Sequence, residues 1–227
     1  MSSANFKHDL FAQFARVGKA LSNGNRLELL EFLAQGERSV EELSKVAGLT
    51  VANTSQHLQQ LRQTGLVTSR KVGLKVYYCI SSNDVIALLD ALRLVAERHV
   101  ADVERLVNTY LTVKDSLEPV PRAELLARVR NGLVTVLDVR PSEEYAAGHV
   151  PGAINIPLHE LEQRLEELGK DQEIVAYCRG PHCVLAFDAV ARLREKGLKA
   201  RRLEDGYPEW KAEGLPVERE DNTQKPG

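Results

Sequence analysis

The chain has 227 residues, of which 43% are hydrophobic, 30 are Lys or Arg and 32 are Asp or Glu, giving a net charge of −2. That length suits two soluble globular domains, and no apolar run is long enough to cross a bilayer. Met1–Asn5 lacks the basic and apolar regions of a signal peptide, and three cysteines (Cys79, Cys178, Cys183) make no disulfide scaffold, so the expectation is a cytoplasmic protein with no membrane partner and no cofactor.

Charge is unevenly spread: residues 1–113 carry 13 basic and 11 acidic side chains, and residues 114–227 carry 17 and 21. In chain order, Ser39-Val40-Glu41-Glu42 reads as a capping box opening a short helix with Leu43, Val46 and Ala47 apolar. Gly48-Leu49-Thr50 makes a turn. A second helix over residues 51–64 places Ala52, Ser55, Leu58 and Leu61 inward and Asn53, Thr54, Gln56, His57, Gln59 and Gln60 outward, a helix-turn-helix pattern. Residues 66–71 and 75–80 read as a hairpin turning near Val72-Gly73-Leu74. No acidic residue lies between Thr50 and Ile80, whereas Arg62, Arg70, Lys71 and Lys75 do. Polar side chains on an acid-free helix suit base edges in a major groove, and a basic hairpin suits phosphates. The expected DNA contacts are therefore Asn53, Thr54, Gln56, His57, Gln60, Arg62, Arg70, Lys71 and Lys75.

Ser81 and Asp84 resemble a further capping box, after which Val85, Leu89, Leu92, Ala96, His99, Val103, Leu106, Tyr110 and Val113 alternate steps of four and three. This heptad pattern predicts a helix of about thirty residues, roughly 45 Å long, that pairs with its copy in a homodimer. Part of it has Phe6, Leu10, Phe11 and Phe14 as an alternative intramolecular partner. Lys114 to Pro121 is polar with two prolines and reads as a linker. Beyond it, the apolar strand Glu173–Tyr177 runs into Cys178, and Val184 to Lys196 has helical spacing. A cysteine at such a strand-loop-helix junction faces backbone amides and the positive end of a helix, which favour the thiolate. Arg179 reinforces this if its side chain folds inward, and the alternative is a buried, inert thiol. Gly180, Pro181 and His182 complete the loop, and Cys183, five positions from Cys178, is either a resolving thiol or a packing residue. Residues 221–227 look like a disordered tail.

The order of helix, turn, polar helix, Leu58 to Val67 and a basic hairpin ending in Tyr77-Tyr78, preceded by Asn23-Gly24-Asn25-Arg26-Leu27-Glu28-Leu29-Leu30, resembles the ArsR family of winged-helix repressors over about Phe11 to Val113. Some ArsR-type proteins sense metals. The segment Glu41 to Val46 has no cysteine and His99, Asp102 and Asp84 form a poor ligand set, so no metal site is expected.

Leu133 to Arg140, Glu143-Glu144-Tyr145, Gly148 to Pro157 and Asp205-Gly206-Tyr207-Pro208-Glu209-Trp210 resemble a rhodanese domain from about Pro121 to Val217. That resemblance implies a persulfide at Cys178, with Arg179 and Cys183 beside it and Asp138 and Arg140 in support. Active loops of this family often carry arginine where Cys183 stands, which implies that thiosulfate is a poorer donor than polysulfide. The related cysteine phosphatases and arsenate reductases place arginine six positions after the cysteine, and that position is Val184.

The expected fold is thus two domains. Residues 1–113 form a mainly α winged helix-turn-helix domain with a β-hairpin wing and a long dimerisation helix, and residues 114–121 a linker. Residues 122–218 form an α/β rhodanese-like domain with a parallel sheet, and 219–227 a tail. The first functional reading is a repressor that binds double-stranded DNA at an inverted-repeat operator and whose Cys178 reacts with sulfane sulfur or another oxidant, sensing sulfur or redox species, with a sulfane-sulfur donor and a thiol acceptor as small partners. A sulfurtransferase enzyme in which the first half only dimerises or localises, and a docking module for a sulfur-carrying protein, are the alternatives.

Overall fold

A computed structural model describes residues 3–112, 114, 118–169 and 172–220; the remainder, including Val113, the middle of the expected linker and residues 221–227, lies outside the described residues. The chain forms two compact units, Met1–Leu89 and Asp90–Gly227. The division falls inside the heptad segment rather than at residues 114–121.

The first unit comprises α1 (Ser3–Leu21), α2 (Gly24–Gln35), β1 (Arg38–Ser39), α3 (Val40–Val46), α4 (Val51–Gln63), β2 (Val67–Val72), β3 (Lys75–Ile80) and the start of α5 (Asn83–His99). The capping box at α3 is complete: the Ser39 amide donates to Glu42 Oε2 at 2.8 Å, and Ser39 Oγ accepts the Glu42 amide at 3.3 Å. Thr50 caps α4 by accepting the Asn53 amide. β1, β3 and β2 form an antiparallel sheet in that order, with Val72 opposite Lys75 across a turn where Gly73 takes φ 59°. That left-handed conformation favours glycine. Leu29, Leu30, Leu43, Leu58 and Leu61 are fully buried in one core. Each such leucine contributes about 1.5–3 kcal/mol through burial.

Two local expectations fail. Ser81 does not cap α5, because its Oγ and its amide both go to the Leu66 carbonyl, at 3.1 and 3.2 Å, tying the end of β3 to the start of β2. The long heptad helix is also interrupted: α5 ends at His99, α6 spans Ala101–Leu106, and a π-helical turn follows over Val107–Thr112. Val100 between them is extended at φ −108°, ψ 100°, with no side-chain cap. A β-branched residue tolerates that conformation well.

The second unit continues with α7 (Arg122–Arg130), β4 (Val134–Asp138), α8 (Ser142–Ala147), β5 (Ile154–Asn155), β6 (Glu173–Tyr177), α9 (Val184–Glu195), β7 (Ala200–Arg202) and α10 (Tyr207–Ala212). Its four strands are parallel in the order β5-β4-β6-β7. Both faces are covered, as continuous apolar strands require. Leu137, Ile174 and Ala176 pack with α9 residues on one side, and Val136, Val175 and Tyr177 with Tyr207 and Trp210 on the other. Val120, inside the expected linker, is fully buried and exchanges backbone bonds with Arg202 and Glu204. The Glu220 amide reaches the Ala146 carbonyl, so packing continues two residues into the expected tail. Among the described residues no helix is long and apolar enough to cross a membrane.

Candidate functional site

Cys178 directly follows β6 and is 1% exposed. Its carbonyl accepts the Tyr207 amide at 3.0 Å, and the Cys183 amide turns back to the Gly180 carbonyl at 3.1 Å. The loop therefore folds on itself and joins Cys178 to Cys183 in a disulfide, with Cα atoms 6.1 Å apart. That separation lies within the ordinary range for such bridges. Cys183 is also the N-cap residue immediately before α9. The sulfur pair therefore sits at the amide-rich, positive end of a twelve-residue helix.

Arg179 is held elsewhere. Its guanidinium grips Glu144 of α8, with Nε 3.1 and 3.0 Å from the two carboxylate oxygens and Nη2 2.7 Å from Oε1. Glu144 is 1% exposed and needs a counter-charge there. The cation that the sequence places beside the thiolate thus compensates a buried carboxylate. His182 lies 3.4 Å from Glu97 through Nε2, and burial holds its imidazole below the ordinary pKa against the upward pull of Glu97.

Asp138 and Arg140, both fully buried, form the support beneath. Arg140 Nη2 donates to Asp138 Oδ2 at 2.6 Å and to the Gly148 carbonyl at 2.8 Å, while its Nε lies 3.0 and 3.1 Å from the two carboxylate oxygens. Tyr177, the residue before Cys178, donates its hydroxyl to Asp138 Oδ2 at 2.6 Å and accepts the Val150 amide at 3.1 Å. Burial lowers the affinity of Arg140 for its proton, but the Asp138 charge and its hydrogen bonds outweigh that and leave the pKa raised. Burial, with Asp138 beside it, raises the Tyr177 phenol well above its usual value.

Gly206 touches the loop from above. A side-chain carbon there would overlap the Gly180 amide nitrogen and the Arg179 carbonyl carbon and lie 2.6 Å from Gly180 Cα. These are backbone atoms and cannot swing aside. Gly206→Ala should push the Cys178 loop outward, costing about 1–3 kcal/mol of overpacking. Urea unfolding would read the cost, and a parent-like midpoint would refute it.

In the first unit α4 exposes Gln56, Gln59 and Gln60, with Asn53 and His57 partly exposed. Thr54 is a correction. It is fully buried at the same helical face as Leu58 and Leu61, and its Oγ1 donates to the Thr50 carbonyl at 3.0 Å, so it is not presented to DNA; Ala52 is exposed instead. Gln60 Oε1 accepts from Arg26 Nη1 at 2.8 Å, and burial followed by Arg26 lowers the pKa of His57. Arg62 donates to Ser69 Oγ at 3.2 Å. Arg70 is doubly bonded to Glu37, through Nε at 2.7 Å and through Nη2, so the wing is not free of acid. Lys71 and Lys75 remain exposed beside the turn.

Sequence reasoning missed Glu144 and Glu37 as counter-charges and Gly206 as a contact on the loop. Glu144 and Gly206 lie inside the rhodanese-like motifs, whereas Glu37 carries no local signal. Among the described residues no group of three or more His, Cys, Asp or Glu side chains gathers as a metal site.

Two family models match: the bacterial regulatory protein, arsR family, over residues 23–69, and the rhodanese-like domain over residues 121–213. The HTH-type transcriptional regulator Rv0324 of Mycobacterium tuberculosis is 49% identical over 93% of both chains. A sulfurtransferase of Allochromatium vinosum is 33% identical over 37% of this chain and 78% of its own length. The homodimeric winged helix-turn-helix DNA-binding domain of Mb0332 from Mycobacterium bovis, solved in solution, is 43% identical over 44% of this chain and 91% of that one, with a TM-score of 0.41.

Proposed function

Because this chain belongs to the arsR family of bacterial regulatory proteins, and so is a DNA-binding transcriptional regulator, we propose that its rhodanese-like half makes it a repressor responsive to sulfane sulfur. The observation that carries the reading is the pairing of Cys178 with Cys183 across one tight turn at the start of α9. The Cys178 thiolate attacks the outer sulfur of a polysulfide; an S–S bond of the donor breaks, the shortened donor leaves as its thiolate, and Cys178 holds a persulfide. The Cys183 thiolate then attacks Cys178 Sγ, the persulfide S–S bond breaks, and hydrosulfide departs. The dithiol has lost two electrons and the transferred sulfur has gained them. The disulfide is the end state of this sequence, and two external thiols reset it: the first forms a mixed disulfide, the second displaces the protein thiolate, and the pair leaves as its own disulfide.

The protein acts as a homodimer. In the first unit Phe6, Phe11 and Phe14 on α1 are more than half exposed, an apolar face that suits a second copy. A two-fold dimer places two α4 helices on an inverted repeat. An operator titration with reduced and polysulfide-treated protein tests the reading: an affinity change accompanied by disulfide formation supports it. Catalytic sulfur transfer to a thiol with no change in affinity would favour the sulfurtransferase alternative.

The wing gives a finer prediction. Lys71→Ala and Lys75→Ala should each flatten the salt dependence of binding by roughly one unit of slope, whereas Arg70→Ala should change it less, because Glu37 already offsets that charge. Gln56→Ala should instead relax sequence preference. Equal salt slopes for Arg70→Ala and Lys71→Ala would count against this division.

A further inference from the structure

Helix α5 continues past the first unit, and its later turns belong to the second, where Asp90, Arg93 and Glu97 share a face at three- and four-residue spacing. Arg93 Nη2 is paired with Asp90 and lies 3.0 Å from Glu209 Oε1. A side-chain carbon on Gly180 would stand 3.3 Å from Arg93 Nη1, so the guanidinium lies against the middle of the Cys178–Cys183 loop. One helical turn on, Glu97 Oε1 is 3.4 Å from His182 Nε2, next to Cys183. Glu209 accepts the Gly206 amide at 3.0 Å, and the next amide, of Tyr207, donates to the Cys178 carbonyl. Arg93 therefore reaches Cys178 by a chain of bonded groups and touches its loop directly. The arrangement holds two carboxylates close together: burial first, then the Glu209 charge, push the Asp90 carboxyl up to about 6 against the pull of Arg93. Like charges gathered around one guanidinium are unfavourable for stability alone.

We propose that Arg93 and Glu97 are positioning residues for the Cys178–Cys183 loop, holding it from α5 in the turn that brings the two sulfurs together. The contacts act in both directions. Whatever α5 does to the loop, sulfur chemistry in the loop does to α5 with the same coupling free energy. Val85 at the start of the same helix is buried in the core of the DNA-binding unit, which makes α5 the element through which the sulfur state biases operator affinity. The inference rests on the reading above that Cys178 takes sulfane sulfur.

The test uses the full-length protein with Arg93→Ala, Arg93→Lys and Glu97→Ala, each treated with polysulfide. Mass spectrometry follows the Cys178 persulfide and its conversion to disulfide, and operator titration follows affinity before and after. In Arg93→Ala and Glu97→Ala, the persulfide should form as in the parent, close to disulfide about tenfold more slowly, and shift operator affinity less, while the reduced proteins bind operator like the parent. Arg93→Lys should recover part of the closure rate, which a general loss of packing would not allow. If Arg93→Ala fails to fold, Glu97→Ala carries the same expectation. Parent-like closure and a parent-like affinity shift in both alanine variants overturn the inference and leave the sulfur reading standing. A parent protein that takes no sulfur at Cys178 overturns both.

Discussion

Cys178→Ser should abolish both persulfide and internal disulfide on exposure to polysulfide, and with them any change in operator affinity, while leaving the affinity of the reduced protein as it was. The hydroxyl has the size of the thiol but is not ionised near neutral pH, and the first step needs the thiolate. Cys183→Ala should behave differently. It retains the attacked sulfur and removes the attacker, so the Cys178 persulfide should outlive that of the parent by at least about tenfold at matched pH and donor. In the bridged form the Cα atoms stand 6.1 Å apart, an ordinary separation for a disulfide, so the loop holds the bond without an unusual backbone span. Equal persulfide lifetimes with no internal disulfide would make Cys183 a packing residue. Thiosulfate should react more slowly than polysulfide with the parent, because Cys183 occupies the place of a cation and Arg179 is bound to Glu144. Rapid thiosulfate turnover with cyanide as acceptor would refute that.

What the sequence made legible was what depends on local pattern. Residues 173–177 form β6 at those bounds because the apolar run Ile174–Tyr177, entered through Glu173, has few other homes, and alternate members of it pack on opposite faces. The capping box at Ser39 and Glu42 and the turn at Gly73 are likewise short-range chemistry. The arginines were not legible. Arg70 finds Glu37 across 33 residues and Arg179 finds Glu144 across 35, so a count of charges along the chain overstated how much positive charge each surface presents. Thr54 was misread for a related reason: its hydroxyl satisfies itself on the Thr50 carbonyl, which lets a polar residue occupy the buried face beside Leu58 and Leu61. The heptad pattern located the helical segment but not its interruption at Val100, since a seven-residue repeat continues in sequence whether or not the backbone does.

The buried pair beneath the loop should be the most sensitive point of the second unit's stability. Arg140→Leu removes the guanidinium bonded to both oxygens of Asp138 and leaves a carboxylate of zero exposure with the Tyr177 hydroxyl on Oδ2 and the backbone amide of residue 140 on Oδ1. Breaking a buried ion pair from one side costs about 3–5 kcal/mol. The Leu side chain also loses the bond to the Gly148 carbonyl and the contact of the guanidinium with the Tyr207 ring, whose centroid is 4.3 Å away. Asp138→Asn should be damaging as well, because it strands the arginine, and the two effects should not add: removing both charges together should cost at least about 1 kcal/mol less than the sum. Denaturant unfolding of the single and double variants measures all three values. A cost below about 1 kcal/mol for Arg140→Leu would mean that solvent reaches Asp138 and that the pair does little to hold β4 against β6. Because Tyr177 links that pair to the residue before Cys178, any variant that loosens it should also broaden the positions open to the Cys178 thiol and slow closure of the disulfide.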